Sequence, residues 1–308
     1  MTRRYGSFEA VKDLSFTVQV GEVVGLLGQN GAGKTTALHV LSGYLAPSEG
    51  RVRINGIDIS AKPREAKRHL GYLPETIPLY PEMTPLEYLR FCCDIKEVHP
   101  SDREAHIQEI MMLTDIVSVK DQLSGTLSKG YRQRLGLAQA LCGGPEALLM
   151  DEPTAGFDPV QSHAFRKLVR KLAKDHAIIL SSHLLSEVQE VCDRVLVISS
   201  GRLALDYTLN QDTKQHAPRF RLVVDAPPAL VLSPIRQLPG VRRVEVLGSG
   251  QQTTSMIAET EPGSGFQHAL FRLLSGLSAP ILELSPMDDS LEEVFLRVSS
   301  ARNGEELS

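Results

Sequence analysis

No stretch of this sequence approaches the roughly 18 consecutive apolar residues that a membrane-spanning helix needs. The N-terminus, Met1-Thr2-Arg3-Arg4-Tyr5, is basic but lacks the apolar core of a signal peptide. The expectation is therefore a chain that stays in the cytoplasm. The four cysteines, Cys92, Cys93, Cys142 and Cys192, form no C-x-x-C pair. A reducing cytosol disfavours disulfides, so they read as small core residues. Positive charge is not in excess either: 33 Lys and Arg against 37 Asp and Glu give −4, with no bulk electrostatic reason to expect nucleic acid. The basic clusters Arg64 to Arg68 and Arg166 to Lys174 read as solvated helix faces. No internal repeat of 20–50 residues and no low-complexity tract is present.

What is present is a loop built for phosphate. Gly28-Gln29-Asn30-Gly31-Ala32-Gly33-Lys34-Thr35-Thr36 fits G-x-x-x-x-G-K-[ST]. The glycines at 28, 31 and 33 let the backbone turn tightly, so that successive amides can point at one anion. Lys34 can then reach the β- and γ-phosphates, and the Thr35 hydroxyl is placed to ligate Mg²⁺. Glu22 to Leu27 reads as a buried strand, and Lys34 to Leu45 as a helix whose N-terminus faces the phosphates. A bound nucleoside triphosphate is the expectation.

At 308 residues the chain has room for one large domain or two medium ones. Residues 1 to about 205 alternate strand-like and helix-like segments, the pattern of a mainly parallel sheet with flanking helices. Arg51 to Ile54 followed by Asn55-Gly56 is a hairpin signal. Residues 84–116 read as helical with a break near His99-Pro100, and Gly130 to Cys142 as a further helix. Strands are expected at Ala147–Met150, Ala177–Leu180 and Val195–Ile198, and helices near 160–174 and 184–192. From about residue 215 prolines and glycines punctuate the chain. Strands near 220–224, 241–246, 253–257 and 281–284 and helices near 229–237, 266–276 and 290–298 give a β-α-β-β-α-β order, which suggests a split-βαβ domain.

The apolar strand Leu148-Leu149-Met150 delivers Asp151 and Glu152 to its carboxyl end, the edge where open α/β sheets bind ligands. Period-two alternation points adjacent acids in different directions. Asp151 suits the Mg²⁺ shell, and Glu152 suits deprotonating the attacking water. Upstream, Leu127-Ser128-Lys129-Gly130-Tyr131-Arg132-Gln133-Arg134 opens a helix that Ser128 can cap, forming a second anion site.

With the acids at this distance, residues 1 to about 210 resemble the ATPase subunits of ATP-binding cassette (ABC) transporters. The resemblance implies a P-loop NTPase α/β fold of the ABC-cassette type with a helical subdomain (1–210), followed by a small α+β extension (215–308). Gly28 to Thr36 is similar to Walker A, and Ala147 to Asp151 to Walker B. Glu152 matches the catalytic glutamate, and Leu127 to Tyr131 stands at the signature. Asp158, in Gly156-Phe157-Asp158, matches the D-loop. His183, in Ser181-Ser182-His183, matches the γ-phosphate-sensing switch; by itself it reads as a surface histidine. Tyr5 resembles the aromatic that stacks on adenine. The resemblance implies ATP and Mg²⁺ as cofactors, with Glu75 as a further metal candidate.

Three departures stand out. Glu75 replaces the usual glutamine and adds negative charge near phosphate, since an ionised carboxylate only accepts hydrogen bonds. Lys129 replaces a signature residue, and a cation there suits an opposed γ-phosphate. Only four residues precede Tyr5, so either the start is truncated or a sheet edge is left unpaired. The Leu-Ser-Lys-Gly-Tyr-Arg-Gln-Arg form resembles the ABC-2 export branch, including gliding-motility-type subunits. Leu284-Ser285-Pro286 and Ser290 to Phe295 resemble the close of its accessory extension, read as a dimerisation or regulatory module.

The implied function is an ATPase subunit that works as a dimer, a homodimer in the simplest case. ATP is sandwiched between Walker A of one subunit and Ser128, Lys129 and Gly130 of the other. A separate transmembrane permease docks at Glu75–Pro85, peripheral to the inner face of the membrane, and no nucleic acid is expected. The alternatives are a soluble ABC-family ATPase acting on ribosomes or DNA, and a P-loop kinase. The former carry two cassettes or a long coiled coil, and this chain has neither; the latter leaves the signature spacing and His183 unexplained.

Overall fold

The computed structural model describes residues 1–209, 218–250 and 252–287, which divide into two compact units at about residue 210. The expected helix near 290–298 and the Ser290–Phe295 segment lie outside the described residues.

The first unit opens with β1 (Arg3–Tyr5) and β2 (Phe8–Val11), an antiparallel pair. The N-terminal edge is therefore paired rather than open. The Met1 ammonium donates to Leu14 O at 2.6 Å, and Thr2 bridges to Glu49. Then come β3 (Val23–Leu27), α1 (Lys34–Leu41), β4 (Arg53–Ile54), β5 (Ile57–Asp58), α2 (Pro63–Arg68) and β6 (Leu70–Leu73). Helix α1 ends four residues earlier than the sequence suggested, because the chain turns at Gly43, where φ is +67°. Asn55 and Gly56 both have positive φ (48° and 79°), as a two-residue hairpin turn requires.

Helices α3 (Pro85–Ile95) and α4 (Pro100–Leu113) are separated at His99-Pro100 as expected. A capping box starts α3: Thr84 Oγ1 accepts from Glu87 N–H, and Glu87 accepts from Thr84 N–H. The unit continues through α5 (Lys129–Leu141), β7 (Ala147–Met150), α6 (Pro159–Leu172), β8 (Ala177–Ser182), α7 (Leu185–Val191), β9 (Arg194–Ser199) and β10 (Arg202–Thr208).

Its six-stranded sheet runs β10-β9-β3-β8-β7-β6, parallel except for β10. Strand β3 lies between β8 and β9, which both come much later in the chain. The loop after β3 therefore meets the carboxyl ends of strands from the other half, where such sheets bind ligands. One sheet face, carrying Val24, Leu26, Leu149, Ile179, Leu196 and Ile198, packs on Ala37, Leu38 and Leu41 of α1. That fully apolar contact fixes the start of α1 over the strand ends. All four cysteines are buried and unbridged.

The second unit contains β11 (Arg219–Val224), α8 (Pro228–Arg236), β12 (Val241–Ser249), β13 (Thr254–Thr260), α9 (Phe266–Gly276) and β14 (Ile281–Met287). Its antiparallel sheet has the order β12-β13-β11-β14, so the two central strands come one from each β-α-β half. Leu222, Val224, Met256 and Ala258 form its core with Val231, Ile235, Leu270 and Leu274 of the two helices.

Candidate nucleotide site

The loop between β3 and α1 is shaped by close backbone contacts. A Cβ on Gly28 would lie 2.5 Å from Ile198 O, and one on Gly33, at φ +105°, 2.5 Å from Ala10 O. Gly31, at φ +81°, has open space around it. Gly33→Ala is therefore expected to cost more than Gly31→Ala, which bears only the backbone strain of about 1–3 kcal/mol. Urea unfolding and ATP titration check the order: Gly33→Ala should weaken both folding and binding more than Gly31→Ala.

Lys34 starts α1 and is buried; its ammonium donates to Gly28 O at 2.7 Å and Gln29 O at 3.3 Å. It also lies 3.9 Å from Glu152 Oε1. The other carboxylate oxygen of Glu152 is 2.8 Å from His183 Nδ1. Glu152 is held in the left-handed region at φ 45°, its N–H donating to Ser181 Oγ at 2.9 Å. Ser181 in turn donates to Asp151 Oδ1 at 2.6 Å. One serine from β8 thus positions both adjacent acids. The histidine segment is fixed by Glu187, whose carboxylate accepts from Thr154 at 2.8 Å and Ser182 at 2.9 Å.

These groups surround a cleft of about 360 Å³. Tyr5, Gln29, Asn30, Gly31, Gly33, Lys34, Thr35, Thr36, Glu75, Glu152 and His183 line it, together with Phe8, Ala10 and Ala155. Gly28, Ala32 and Asp151 are not among its lining residues; Ala32 and Asp151 are buried. Asp151 is 1% exposed and has no ion pair among the described residues. A buried carboxylate with no cation is costly; its oxygens and the hydroxyl of the exposed Thr35 are donors of the hard type that suits Mg²⁺. At the far side Tyr5 is about half exposed, and the Arg3 guanidinium sits 4.8 Å over its ring.

Ser128, Lys129, Gly130 and Asp158 are not in this cleft. Ser128 caps α5, accepting from Tyr131 N–H at 3.3 Å. Ser128 and Gly130 line a second cleft with Tyr131, Arg134, Phe157 and Gln161. Asp158 caps α6, accepting from Gln161 N–H at 2.8 Å. The Lys129 ammonium rests over Gly156 of its own chain, with no ion pair among the described residues.

Sequence reasoning missed Glu187, Thr154, Phe8 and Ala10. The last two carried a signal, since alternate residues of a strand share a face. Glu187 and Thr154 carried none, being joined only by the fold.

The ABC transporter family model matches residues 11–155. The bacitracin transport ATP-binding protein BcrA of Bacillus licheniformis is 31% identical over 301 residues, covering 97% of this chain and 95% of BcrA. A solved ATP-binding subunit of an ABC transporter superposes with a TM-score of 0.63 at 29% identity, over 70% of this chain and 90% of that one. A dimeric bacterial ABC transporter cassette, MJ0796, shares the fold at a TM-score of 0.62 and 22% identity, over 68% and 95% of the two chains. Ribosome- or DNA-directed action is not favoured by these matches. Because a transport ATP-binding protein aligns with nearly the whole chain, the chain belongs to the ABC transporter ATP-binding proteins and is an ATPase that powers transport.

Proposed function

We propose that this chain is one half of an ATP-driven dimer that powers an ABC-2-type exporter through a separate membrane permease. The observation that carries this reading is the separation of the two anion-binding segments. Lys34, Thr35 and Thr36 line one cleft, and Ser128 and Gly130 line another. A second copy supplies Ser128, Lys129 and Gly130 to the phosphates held by the first. MJ0796, which shares the fold, forms a dimer. The export direction rests on the signature form, and the coupling to transport on BcrA, which is named for bacitracin transport.

In this reading Tyr5 stacks on adenine, and Gly28 to Thr36 cradle the phosphates. Thr35 and Asp151 would hold Mg²⁺, which would screen the phosphate charge, with Glu75 as a further metal candidate. Glu152 takes the proton from the attacking water, and His183 senses the γ-phosphate beside it. Asp158 ends the D-loop at the subunit boundary. Hydrolysis puts separating charges where one shared γ-phosphate had joined the subunits, so ATP and ADP favour different states of the pair.

No helix among the described residues is long and apolar enough to cross a membrane. In this reading membrane association runs through the permease, at the cytoplasmic face, with Glu75–Pro85 as the docking segment. Residues 1–210 form the cassette and 215–308 the accessory domain. Affinity purification of the tagged chain from detergent-solubilised membranes tests this. A polytopic membrane protein is expected to co-purify; ribosomes or DNA in its place would overturn the proposal.

A further inference from the structure

The Tyr72 hydroxyl is buried and has no hydrogen-bond partner among the described residues. An orphaned buried hydroxyl is costly, so its surroundings bear on what it is for. In the parallel pair β6–β7, Tyr72 stands beside Leu149. Period-two alternation places Leu149 and Asp151 on one sheet face, the face packed on α1. The Tyr72 ring meets His39 of α1 edge-on, with centroids 6.4 Å apart. His39 is four residues after Thr35, so the two share one flank of that helix. The phenol therefore lies in the wedge between α1 and the strand end that bears Asp151.

A phenol hydroxyl carries its proton at neutral pH and can donate one hydrogen bond. Asp151 Oδ1 already accepts from Ser181, whereas Oδ2 accepts from none of the described residues.

We propose that Tyr72 is an outer-shell positioning residue of the divalent-metal site, donating to a water bound between Asp151 and the cation. This rests on the reading that Asp151 and Thr35 hold the metal. A donor there orients the water and, through it, the carboxylate that Ser181 holds from the other side. Partners of this kind change metal affinity when removed, by roughly 10- to 100-fold in well-studied sites. Tyr72→Phe keeps the ring and its contact with His39 and removes only the hydroxyl.

The test uses the full chain with Mn²⁺ as a paramagnetic probe and the β,γ-imido analogue of ATP. Tyr72→Phe is expected to weaken Mn²⁺ binding about tenfold. Affinity for the analogue in EDTA should stay unchanged, and the melting temperature should not fall. A purely structural hydroxyl would move the melting temperature and leave Mn²⁺ affinity alone. Asp151→Asn is the control. If it weakens Mn²⁺ binding and Tyr72→Phe does not, the assignment of Tyr72 is overturned by itself. If neither variant changes Mn²⁺ affinity, the metal reading falls with it.

Discussion

Glu152→Gln is expected to lower ATP turnover by about 100- to 10,000-fold, the usual span for removing a general base, while ATP binding persists. The geometry accounts for both halves of that result. One oxygen of the side chain faces His183 at 2.8 Å, and the other faces Lys34 at 3.9 Å. The amide keeps the shape and can still hydrogen-bond to His183, but it cannot take a proton from water. It also removes the negative charge that competes with phosphate for Lys34. The lysine keeps its bonds to Gly28 O and Gln29 O, so the loop stays formed.

The same change should make the ATP-bound pair accumulate. With turnover blocked, no step replaces the shared γ-phosphate with separating charges, and the closed state persists while ATP remains. Phosphate release measures the first effect, and size-exclusion chromatography with and without ATP the second. Undiminished turnover would remove Glu152 from the role of base. Lost ATP binding would instead mean that the Lys34–Glu152 contact is needed to build the loop.

The parts of the site that the sequence made legible are those whose chemistry is contiguous. Gly28 to Thr36 carries its own turn geometry, and Asp151-Glu152 follows an unbroken apolar strand, so local rules suffice. Ser128 likewise announces a helix start that the structure contains. Parts built by distant pairing were not legible. Strand β6 is four residues long, and its ladder with β7 defines it. Read alone, Gly71-Tyr72-Leu73 looks like the edge of a loop. Strand β10 was missed because its alternation is broken by a register shift between Leu203 and Leu205. The four residues before Tyr5 left two expectations open, a truncated start or an unpaired N-terminal edge. The edge is closed by pairing with Phe8–Val11 and by Glu49, forty-odd positions away. In the second unit the alternation of Leu222 with Val224, and of Met256 with Ala258, was readable because one face of the sheet is covered by helices. Lys129 shows the remaining limit: its charge is read directly from the sequence, whereas the resting place of its ammonium over Gly156 of its own chain comes only with the fold.

Two inactive variants are expected to restore activity when mixed. Lys34→Ala removes the ammonium that reaches the phosphates, and Ser128→Glu puts a carboxylate at the start of α5. Each alone should be inactive if ATP lies between the P-loop of one copy and the Ser128 segment of another, because both sites of a symmetric pair carry the lesion. In a mixed pair one site combines both lesions, and the other combines an intact P-loop with an intact Ser128 segment. Random assortment of a two-fold pair gives half mixed dimers with one working site each, hence about a quarter of the unmodified rate if the sites act independently. The double variant Lys34→Ala/Ser128→Glu mixed with unmodified chain provides the contrast. There each mixed pair has one lesion at each site, so mixed dimers contribute nothing. The separation of the two segments into different clefts of one chain is what makes the experiment decisive. If Ser128 served its own chain's P-loop, mixing the single variants would restore nothing, because every chain in the mixture would carry a broken site. Phosphate release measured across a titration of one variant into the other separates the outcomes: a curve with a maximum near equal amounts marks a shared site, and a flat line removes it.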